Sequence, residues 1–473
     1  MEQSSEVYDL LVIGGGTAGL VGAKTAARLG GHTVLVESSR TGGDCLWTGC
    51  VPSKTLLSAA KAARQGGTER DATFAAIRNR ISAAIRTIEP ADSAESLEKV
   101  GVTVLSGAAR FTGQGVAEVN GKKVRFRRAL IATGSAPALP DIPGLAEAPA
   151  VVTSETVWDL PHLPERLVII GGGPIACELG QAFARLGSSV VILARSEILP
   201  KEDRDAVAHV RDSLLDDGVK VVENSGAARV STGDATVVHT TDGQTFDADV
   251  ILVAAGRKAR TEGIGLDSVG VHCDPSGYVA VNSAMRTSNP TIWAAGDVTP
   301  YPDFTHLAGV HASTAASNAI LGLRRSVSTV RPRVTFTSPE VAAVGVTEAT
   351  ATEHSVSTIQ HSDSDRAIAE GRTAGFTRII VGKGGRILGG TIVGPRAGES
   401  LAELTLAVHQ GLSTRTLASV THPYPTHNDS LWNAAVAHAR TGLESPVAKV
   451  AVRALAGINR WRGDRMKHLR NAD

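Results

Sequence analysis

The hydrophobic pattern near the start of the chain predicts a strand, a glycine-rich turn, a helix and a second strand. Residues 8–13 are an apolar run that leads into the glycine-rich segment 14–19, and a helix of small residues is expected over residues 20–29. The next apolar run, residues 33–36, ends at Glu37. Elements in this order are typical of a unit that binds an ADP-containing cofactor, with the diphosphate on the helix N-terminus and the carboxylate on a ribose hydroxyl. The glycines assigned to the diphosphate are Gly14, Gly16 and Gly19.

The same pattern occurs a second time near the middle of the chain. The apolar run 167–170 leads into the glycine-rich segment 171–176, a helix is expected through Ala184, and the strand 190–193 follows. Two such units predict two dinucleotide sites in one chain. The glycines assigned to the second diphosphate are Gly171 and Gly173.

The end of the second unit indicates which nucleotide it binds. We assign the position of the ribose-binding acid to Leu193, which carries no charge, and Arg195 and Lys201 follow it. A carboxylate suits a free 2′-hydroxyl, whereas arginine and lysine suit a 2′-phosphate. The second site is therefore expected to take NADPH rather than NADH. The alternative is that Arg195 and Lys201 belong to an ordinary solvated loop.

Two cysteines after the first unit have a setting typical of redox chemistry. Cys45 and Cys50 are half of the four cysteines in the chain. Pro52 suits the first turn of a helix, so Cys50 is expected at or just before a helix N-terminus, whose partial positive charge favours a thiolate. Lys54 would face the same side of that helix. The alternative is a pair of structural thiols or half of a zinc site, but no further cysteine or histidine follows at ligand spacing, so we assign no metal.

Together these motifs resemble the flavoprotein pyridine nucleotide–disulfide oxidoreductases, a family that includes dihydrolipoamide dehydrogenase, glutathione reductase and mercuric reductase. The resemblance covers nearly the whole chain and implies an α/β fold with two Rossmann-like dinucleotide-binding domains and a C-terminal α+β dimerisation domain. It implies bound FAD, a Lys54–Glu178 pair beside the flavin ring, a thiolate at Cys50 near the ring, and Cys45 as the thiol that meets the substrate. The segments 193–196 and 365–367 are most similar to mercuric reductases. The other cofactor-binding residues assigned with this resemblance are Thr133, Gly134, Gly256 and Asp297.

The resemblance also implies a homodimer, because family members place the substrate site between the dithiol of one subunit and the last domain of its partner. A turn-rich segment, residues 138–144, marks the first boundary. The expected parts are an FAD-binding domain with the dithiol (1–150), an NAD(P)-binding domain (151–277), a central segment that completes the FAD site (278–330), a dimerisation domain (331–445) and a basic C-terminal tail (446–473).

The dimerisation domain departs from most of the family at its acid–base position. Most disulfide reductases of the family carry a His-Pro pair followed closely by Glu, whereas alignment on Pro425-Thr426 places Tyr424 and Asp429 there. Mercuric reductases also have tyrosine at this position. A phenol carries protons poorly near neutral pH compared with an imidazole, so efficient reduction of lipoamide or glutathione disulfide is not expected. In a second register His422 is the acid–base group, and His427 is also near.

These observations predict an FAD-dependent enzyme that passes two electrons from NADPH through Cys45 and Cys50 to a small molecule or a metal ion. It is expected to be mercuric reductase-like, although no cysteine follows Cys273, so the C-terminal cysteine pair of true mercuric reductases is not found. One alternative is an NAD-dependent dihydrolipoyl dehydrogenase. An alternative of another class is an FAD-bound scaffold or electron-transfer protein with an idle dithiol, which the presence of Lys54 and Glu178 disfavours.

The amino-acid composition indicates the class of protein and the cellular compartment in which it is expected. The 473 residues, 42% hydrophobic and 20% charged, are typical of a soluble globular protein with about three domains. The net charge of +1 gives no electrostatic reason to expect nucleic acid. Few cysteines, no signal peptide and no bilayer-spanning run favour the cytoplasm. Cys177 and Cys273 are expected to be small core residues.

The tail combines apolar residues at helical spacing with many basic residues. The first expectation is a helix packed on the dimer, or a solvated tail. The alternative is a basic amphipathic helix that contacts an anionic membrane surface. The apolar positions are Val447, Val450, Ala451, Ala454, Leu455 and Ile458, and the basic ones are Lys449, Arg453, Arg460, Arg462, Arg465, Lys467 and Arg470.

Overall fold

The computed structural model describes residues 6–63, 70–351 and 353–470, and the chain divides into two compact units. Each unit has a hydrophobic core of its own. The first unit consists of Met1–Pro200 and Arg211–Thr329, and the second of Lys201–Val210 and Val330–Asp473.

The first dinucleotide unit is built on a seven-stranded sheet. Its strands are β1 (Val7–Ile13), β2 (Thr33–Glu37), β3 (Val102–Ser106), β4 (Ala109–Gly113), β5 (Val116–Val119), β6 (Lys122–Ile131) and β17 (Ile292–Ala294). The strand order is β3-β2-β1-β6-β5-β4, with β17 paired to β6. Strands β3, β2, β1, β6 and β17 pair in parallel, whereas β4 and β5 form an antiparallel edge.

Strand β1 is apolar without interruption because both faces of this sheet are covered. Leu10 and Val12 point into a core that contains alanines of two helices, α1 (Thr17–Arg28) and α8 (Thr305–Leu321). Leu11 points into a second core on the other face. Helices that pack closely against each other need small side chains, which is why α1 and α8 are rich in alanine.

The second dinucleotide unit is a five-stranded parallel sheet. Its strands are β8 (Val151–Thr153), β9 (Arg166–Ile170), β10 (Ser189–Leu193), β11 (Lys220–Val222) and β15 (Val250–Val253). The order is β11-β10-β9-β15-β8. An antiparallel sheet of β12 (Ala227–Thr232), β13 (Thr236–Thr240) and β14 (Thr245–Ala248) follows β11 in the chain.

The chain returns from the second sheet to the first earlier than residue 277, the expected end of the NAD(P)-binding domain. Strand β16 (Arg257–Ala259) pairs with β7 (Ser135–Pro137), which directly follows the first sheet. Leu266 and Val271 then join the core on the face of β1 that Leu11 occupies.

The remaining helices of the first unit surround these sheets. They are α2 (Gly43–Trp47), α3 (Cys50–Ala63), α4 (Arg70–Asp92), α5 (Ala94–Glu98) and α6 (Pro174–Arg185), and α7 (Arg204–Asp216) includes residues of both units. Single turns of 3₁₀ helix form at Val157–Asp159 and Leu266–Val269.

The second unit is an antiparallel sheet with helices packed on it. Its strands are β18 (Arg333–Thr335), β19 (Glu340–Gly345), β20 (Ser355–Gln360), β21 (Phe376–Val381) and β22 (Ile387–Gly394), in the order β18-β19-β22-β21-β20. Its helices are α9 (Asp365–Ala369), α10 (Ala397–Gln410), α11 (Thr414–Ala418), α12 (Asp429–Thr441) and α13 (Pro446–Arg470). Short 3₁₀ turns lie at Glu348–Thr350, His361–Asp363 and Lys383–Gly385. The predicted fold class, two Rossmann-like units and a C-terminal α+β part, is confirmed.

Helix α13 forms most of the predicted basic tail. Residues 471–473, together with the side chains of Arg465, Lys467 and Arg470, lie outside the described residues. Among the helices that the structure describes, none combines the length and apolar composition that crossing a bilayer requires.

Candidate active site

The first glycine-rich turn lets helix α1 and its neighbours approach closely enough to form a diphosphate cradle. Gly14 has a φ of +105°, and a Cβ atom there would lie 2.3 Å from the carbonyl oxygen of Ala132. A Cβ atom at Gly19 would lie 1.8 Å from the carbonyl oxygen of Gly14. Glu37, at the end of β2, accepts a hydrogen bond from the backbone N–H of Gly15 at 2.5 Å. The turn, the helix N-terminus and the carboxylate therefore meet as the sequence predicts.

A cavity of about 580 Å³ opens from this cradle and reaches the cysteine pair. Thr133 and Gly134 line it, as do Asp297 and Cys45. Burial raises the pKa of Asp297, and Ser135 donates a hydrogen bond to it at 3.3 Å. A cradle that only glycine can form, in a cavity lined by the carboxylates of Glu37 and Asp297, fits FAD. Gly16, Glu37 and most of the other residues assigned to this cofactor by sequence border the cavity. Gly19 packs behind the turn, and Lys54 does not line the cavity.

The second glycine-rich turn repeats the first and corrects one assignment. Gly14 donates its backbone N–H to the carbonyl oxygen of Val36, and Gly171 donates its own to that of Leu193. Leu193 therefore matches Val36, and Ala194 matches Glu37. The assignment of the acid position to Leu193 was wrong by one residue, because the count began from the apolar run rather than from this hydrogen bond.

The corrected position still lacks an acid. A Cβ atom at Gly172 would lie 2.8 Å from the Cβ of Ala194, so the methyl group packs directly against the turn. Arg195 follows and is exposed. Gly171 has a φ of +136°, and a Cβ atom there would lie 2.2 Å from a carbonyl oxygen. A Cβ atom added at Gly173 or Gly256, the other glycines assigned to this site, would have no atom within 4 Å. Lys201 is exposed, and it belongs to the compact unit that contains Val330–Asp473.

The two cysteines lie on consecutive helices: Cys45 is in α2, and Cys50 is the first residue of α3. Both are free thiols. The hydrogen bond from the Cys45 thiol lowers the pKa of Cys50 to about 6, with further contributions from Thr305 and the charge of Lys54. The same hydrogen bond, together with burial, raises the pKa of Cys45. Lys54 Nζ lies 2.9 Å from Glu178 Oε2, on α6. At neutral pH the pair therefore carries one thiolate, on Cys50, and one proton, on Cys45.

Thr305 is a contact of the thiolate that sequence analysis missed. Its Oγ1 lies 3.2 Å from Cys50 Sγ, and Thr305 is the first residue of α8, a helix of 17 residues. The N-termini of two helices, α3 and α8, thus meet at one sulfur atom. The sequence signal for the start of α8 is weak, because Phe304 at the N-cap position makes no side-chain cap.

Side chains distant in sequence hold α2, the short helix that carries Cys45. Asp44 pairs with Arg257, at the start of β16, and Arg257 Nε donates to Ser135 Oγ at 2.6 Å. Trp158 Nε1 donates to the carbonyl oxygen of Thr48 at 2.8 Å. These contacts join residues more than 100 positions apart, and no local pattern in the sequence indicates them.

The predicted acid–base residues lie together in the second unit, in different environments. Tyr424 is 68% exposed, and its hydroxyl donates to the Asp365 carboxylate, which raises the pKa of the phenol. The side chain of His422 is only 6% exposed. Its Nε2 lies 2.8 Å from Glu403, and its Nδ1 lies 3.0 Å from a carbonyl oxygen. Asp429 begins α12, and burial raises its pKa.

His422 is therefore engaged at both ring nitrogens, whereas Tyr424 is accessible. This geometry favours the register in which Tyr424 takes the family's acid–base position. His427 is held through Nε2 by Glu370 at 3.1 Å.

The other two cysteines, Cys177 and Cys273, lie in different environments. Cys177 is buried as expected, whereas Cys273 is exposed, so its expected place in the core was wrong. Cys273 lies in an isolated bridge outside the named strands, where its side chain does not reach a core. Across the described ranges, no group of three or more His, Cys, Asp or Glu side chains could hold a metal ion.

Comparison with known proteins agrees with the resemblance read from the motifs. The family model described as pyridine nucleotide-disulphide oxidoreductase matches residues 8–315, and the dimerisation domain of that family matches residues 331–435. The chain is 35% identical to a mercuric reductase of Streptomyces lividans, over 91% of this chain and 96% of that protein. It is 33% identical to a dihydrolipoyl dehydrogenase of Chlamydia trachomatis, over 94% of this chain and 100% of that protein.

Solved structures agree as well. The HOCl-induced flavoprotein disulfide reductase RclA of Escherichia coli, in a Cu(II) complex, is similar with a TM-score of 0.84 and 27% identity, over 91% of this chain and 99% of that one. The match of residues 331–435 supports the predicted homodimer.

The contact between Thr305 and Cys50 gives the first prediction. Thr305→Val should raise the pKa of Cys50 by about one to two units, because a hydrogen bond to a charged group contributes ~1.5–3 kcal/mol. The measurement is the pH dependence of Cys50 alkylation in reduced protein, followed on the Cys50 peptide by mass spectrometry. Thr314→Val is the matched control, since Thr314 is on the same helix and its hydroxyl bonds only to a backbone carbonyl. An unchanged midpoint in Thr305→Val would contradict the assigned role.

Proposed function

We propose, because the chain belongs to the pyridine nucleotide-disulphide oxidoreductases, that it passes two electrons from NADPH through Cys45 and Cys50 to a metal ion or a quinone. The observation that carries the proposal is the position of Cys50, whose sulfur lies where the N-termini of two helices meet and next to Cys45, which lines the cavity that fits FAD. The dithiol is therefore arranged to react rather than to brace the fold.

FAD, when bound, supplies the two-electron chemistry between the reduced nicotinamide and the dithiol. The chain would hold its diphosphate with Gly14 and Gly16, its ribose with Glu37, and its other end with Asp297. Lys54 would lie beside the ring, oriented by Glu178. Glu178 is only 6% exposed, so its buried carboxylate needs an opposite charge, which Lys54 supplies. The same ion pair holds the Lys54 side chain in one position.

The cysteines account for the electrons and protons of the acceptor step. Reduction of the Cys45–Cys50 disulfide uses the electron pair of one hydride equivalent from NADPH, breaks the S–S bond and leaves a thiol on Cys45 and a thiolate on Cys50. When the disulfide re-forms, the Cys45 proton is released and the electron pair leaves for the acceptor. A soft metal ion takes that pair directly after binding thiolate, and a quinone takes it with two protons from the thiol and the solvent.

The residues of the compact unit that contains Val330–Asp473 favour acceptors that need no proton from an acid of the protein. A departing thiolate from a bulky disulfide substrate requires a proton, and imidazole supplies it best near neutral pH. Tyr424 is a weak acid whose pKa Asp365 raises further, and His422 is buried against Glu403. The relatives support a metal acceptor, since one is named mercuric reductase and a structural relative was solved with Cu(II).

NAD-dependent oxidation of dihydrolipoamide is the second candidate, supported by the relative named dihydrolipoyl dehydrogenase. Two features disfavour it. Ala194 leaves the second ribose site without a carboxylate, and Tyr424 replaces the expected histidine. The cytoplasmic location and the domain boundaries remain predictions.

The second prediction tests the dithiol. Cys50→Ser should keep the protein folded and able to bind FAD, yet lose NADPH-dependent reduction of Hg(II), because the disulfide can no longer form and the thiolate of the pair is lost. The measurement is NADPH oxidation with Hg(II), a quinone, lipoamide and glutathione disulfide as acceptors. Cys273→Ser, at an exposed thiol, is the matched control and should behave as wild type. Full activity in Cys50→Ser would show that the dithiol is idle.

The third prediction concerns the nucleotide. Arg195→Ala should raise the KM for NADPH about tenfold and leave that for NADH nearly unchanged, since a charge-assisted contact to a 2′-phosphate is lost. Ala194→Glu should shift preference toward NADH, because it restores the carboxylate at the position that matches Glu37. Arg229→Ala, an exposed arginine of the same unit, is the control. Equal use of both nucleotides by the wild type would remove the argument.

The fourth prediction concerns the acceptor. The wild type should turn over lipoamide and glutathione disulfide slowly, and Tyr424→His should raise those rates because it supplies an imidazole. His422→Gln should leave the disulfide rates nearly unchanged, since His422 is engaged by Glu403. A wild-type lipoamide rate on the order of 100 per second, as in an efficient enzyme, would contradict the proposal. A large loss in His422→Gln would favour the second register instead.

A further inference from the structure

Helix α13, the last element of the second unit, exposes a row of apolar side chains along its length. Val447, Val450 and Leu455 are 81%, 67% and 66% exposed, and Ile458 and Trp461 are 48% and 60% exposed. Their spacing places them on one face of the helix. An exposed apolar row of this length, bordered by polar residues, marks a surface that contacts something else.

The opposite face of α13 is strongly basic. Lys449, Arg453 and Arg460 follow each other at helical spacing and are exposed. Asp464 is the one acidic residue in the sequence of the helix. The basic residues of the helix are Lys449, Arg453, Arg460, Arg462, Arg465, Lys467 and Arg470.

The helix also needs a partner to be stable. Gly457 and Gly463 lie in its interior, where glycine weakens a helix. A helix gains most of its stability from packing of its apolar face rather than from intrinsic propensity. Whatever covers the apolar row of α13 would therefore stabilise the helix as well.

We propose that α13 lies flat on an anionic lipid bilayer, with its apolar row in the headgroup–acyl boundary. Apolar residues with a tryptophan on one face and Lys and Arg on the other are typical of helices in this position. The long side chains of lysine and arginine extend back toward the headgroups, where anionic lipids attract them.

A second copy of this chain is the less favourable occupant. Two α13 helices packed through their apolar rows would leave both basic faces on the outside, without opposite charges. An anionic surface supplies those opposite charges. The inference does not depend on the reaction proposed above, and it concerns only where the enzyme is held.

Vesicle co-sedimentation of the full-length protein tests the proposal. The wild type should sediment with vesicles of phosphatidylglycerol and phosphatidylcholine at low salt, and stay in solution with phosphatidylcholine alone. The triple variant Val450→Asp, Leu455→Asp, Ile458→Asp should bind about tenfold less, because the apolar face is lost. NADPH oxidation should be unchanged in solution. A wild type that stays in solution with the anionic vesicles overturns the proposal.

A charge variant separates the bilayer from other occupants. Lys449→Glu, Arg453→Glu, Arg460→Glu should also bind about tenfold less, and high salt should weaken binding of the wild type. Unchanged vesicle binding in this variant overturns the proposal. So does a change from dimer to monomer in the apolar variant by light scattering, which assigns α13 to a second copy. The control with the same change of charge on exposed residues is Lys122→Glu, Lys123→Glu, Arg125→Glu.

Discussion

The chemistry assigned to this chain depends on one negative charge, that of the Cys50 thiolate. A half-buried sulfur loses solvation when it ionises, and burial alone would raise the pKa of Cys50. The Cys45 thiol, the Thr305 hydroxyl and the charge of Lys54 together reverse that effect. Lys54 stays in place because Glu178, almost fully buried on α6, requires an opposite charge. Helices α3 and α8 therefore meet at one sulfur atom, and α6 holds the lysine whose charge acts on it.

The parts of the site that sequence predicts are those governed by local geometry. A glycine in the left-handed region, an apolar strand before it and an acid after the next strand form a short pattern with one structural solution. That is why Gly14, Glu37 and Gly171 lie where expected. Pro52 likewise predicts that a helix begins close to Cys50, because proline is best tolerated in the first turn of a helix. Over such short spans the backbone leaves few alternatives.

The parts that sequence misses depend on contacts between distant residues. Thr305 is 255 residues from Cys50, and only the packing of α8 on the first sheet brings its hydroxyl to the sulfur. The pairing of Asp44 with Arg257 has the same character. The misassignment of Leu193 was of another kind, since an apolar run does not reveal at which residue a strand ends. The backbone hydrogen bond of Gly171 does.

Burial, rather than residue type, decides between the two candidate acid–base residues. By chemistry alone His422 is the better proton carrier, and sequence could not exclude it. In the fold, both of its ring nitrogens are occupied and its side chain is almost fully buried, so it stabilises the loop before α12. Tyr424 is exposed, but its hydroxyl donates to Asp365, which opposes ionisation of the phenol. Under the proposed function, this arrangement suits acceptors that take electrons from a thiolate without a proton from the protein.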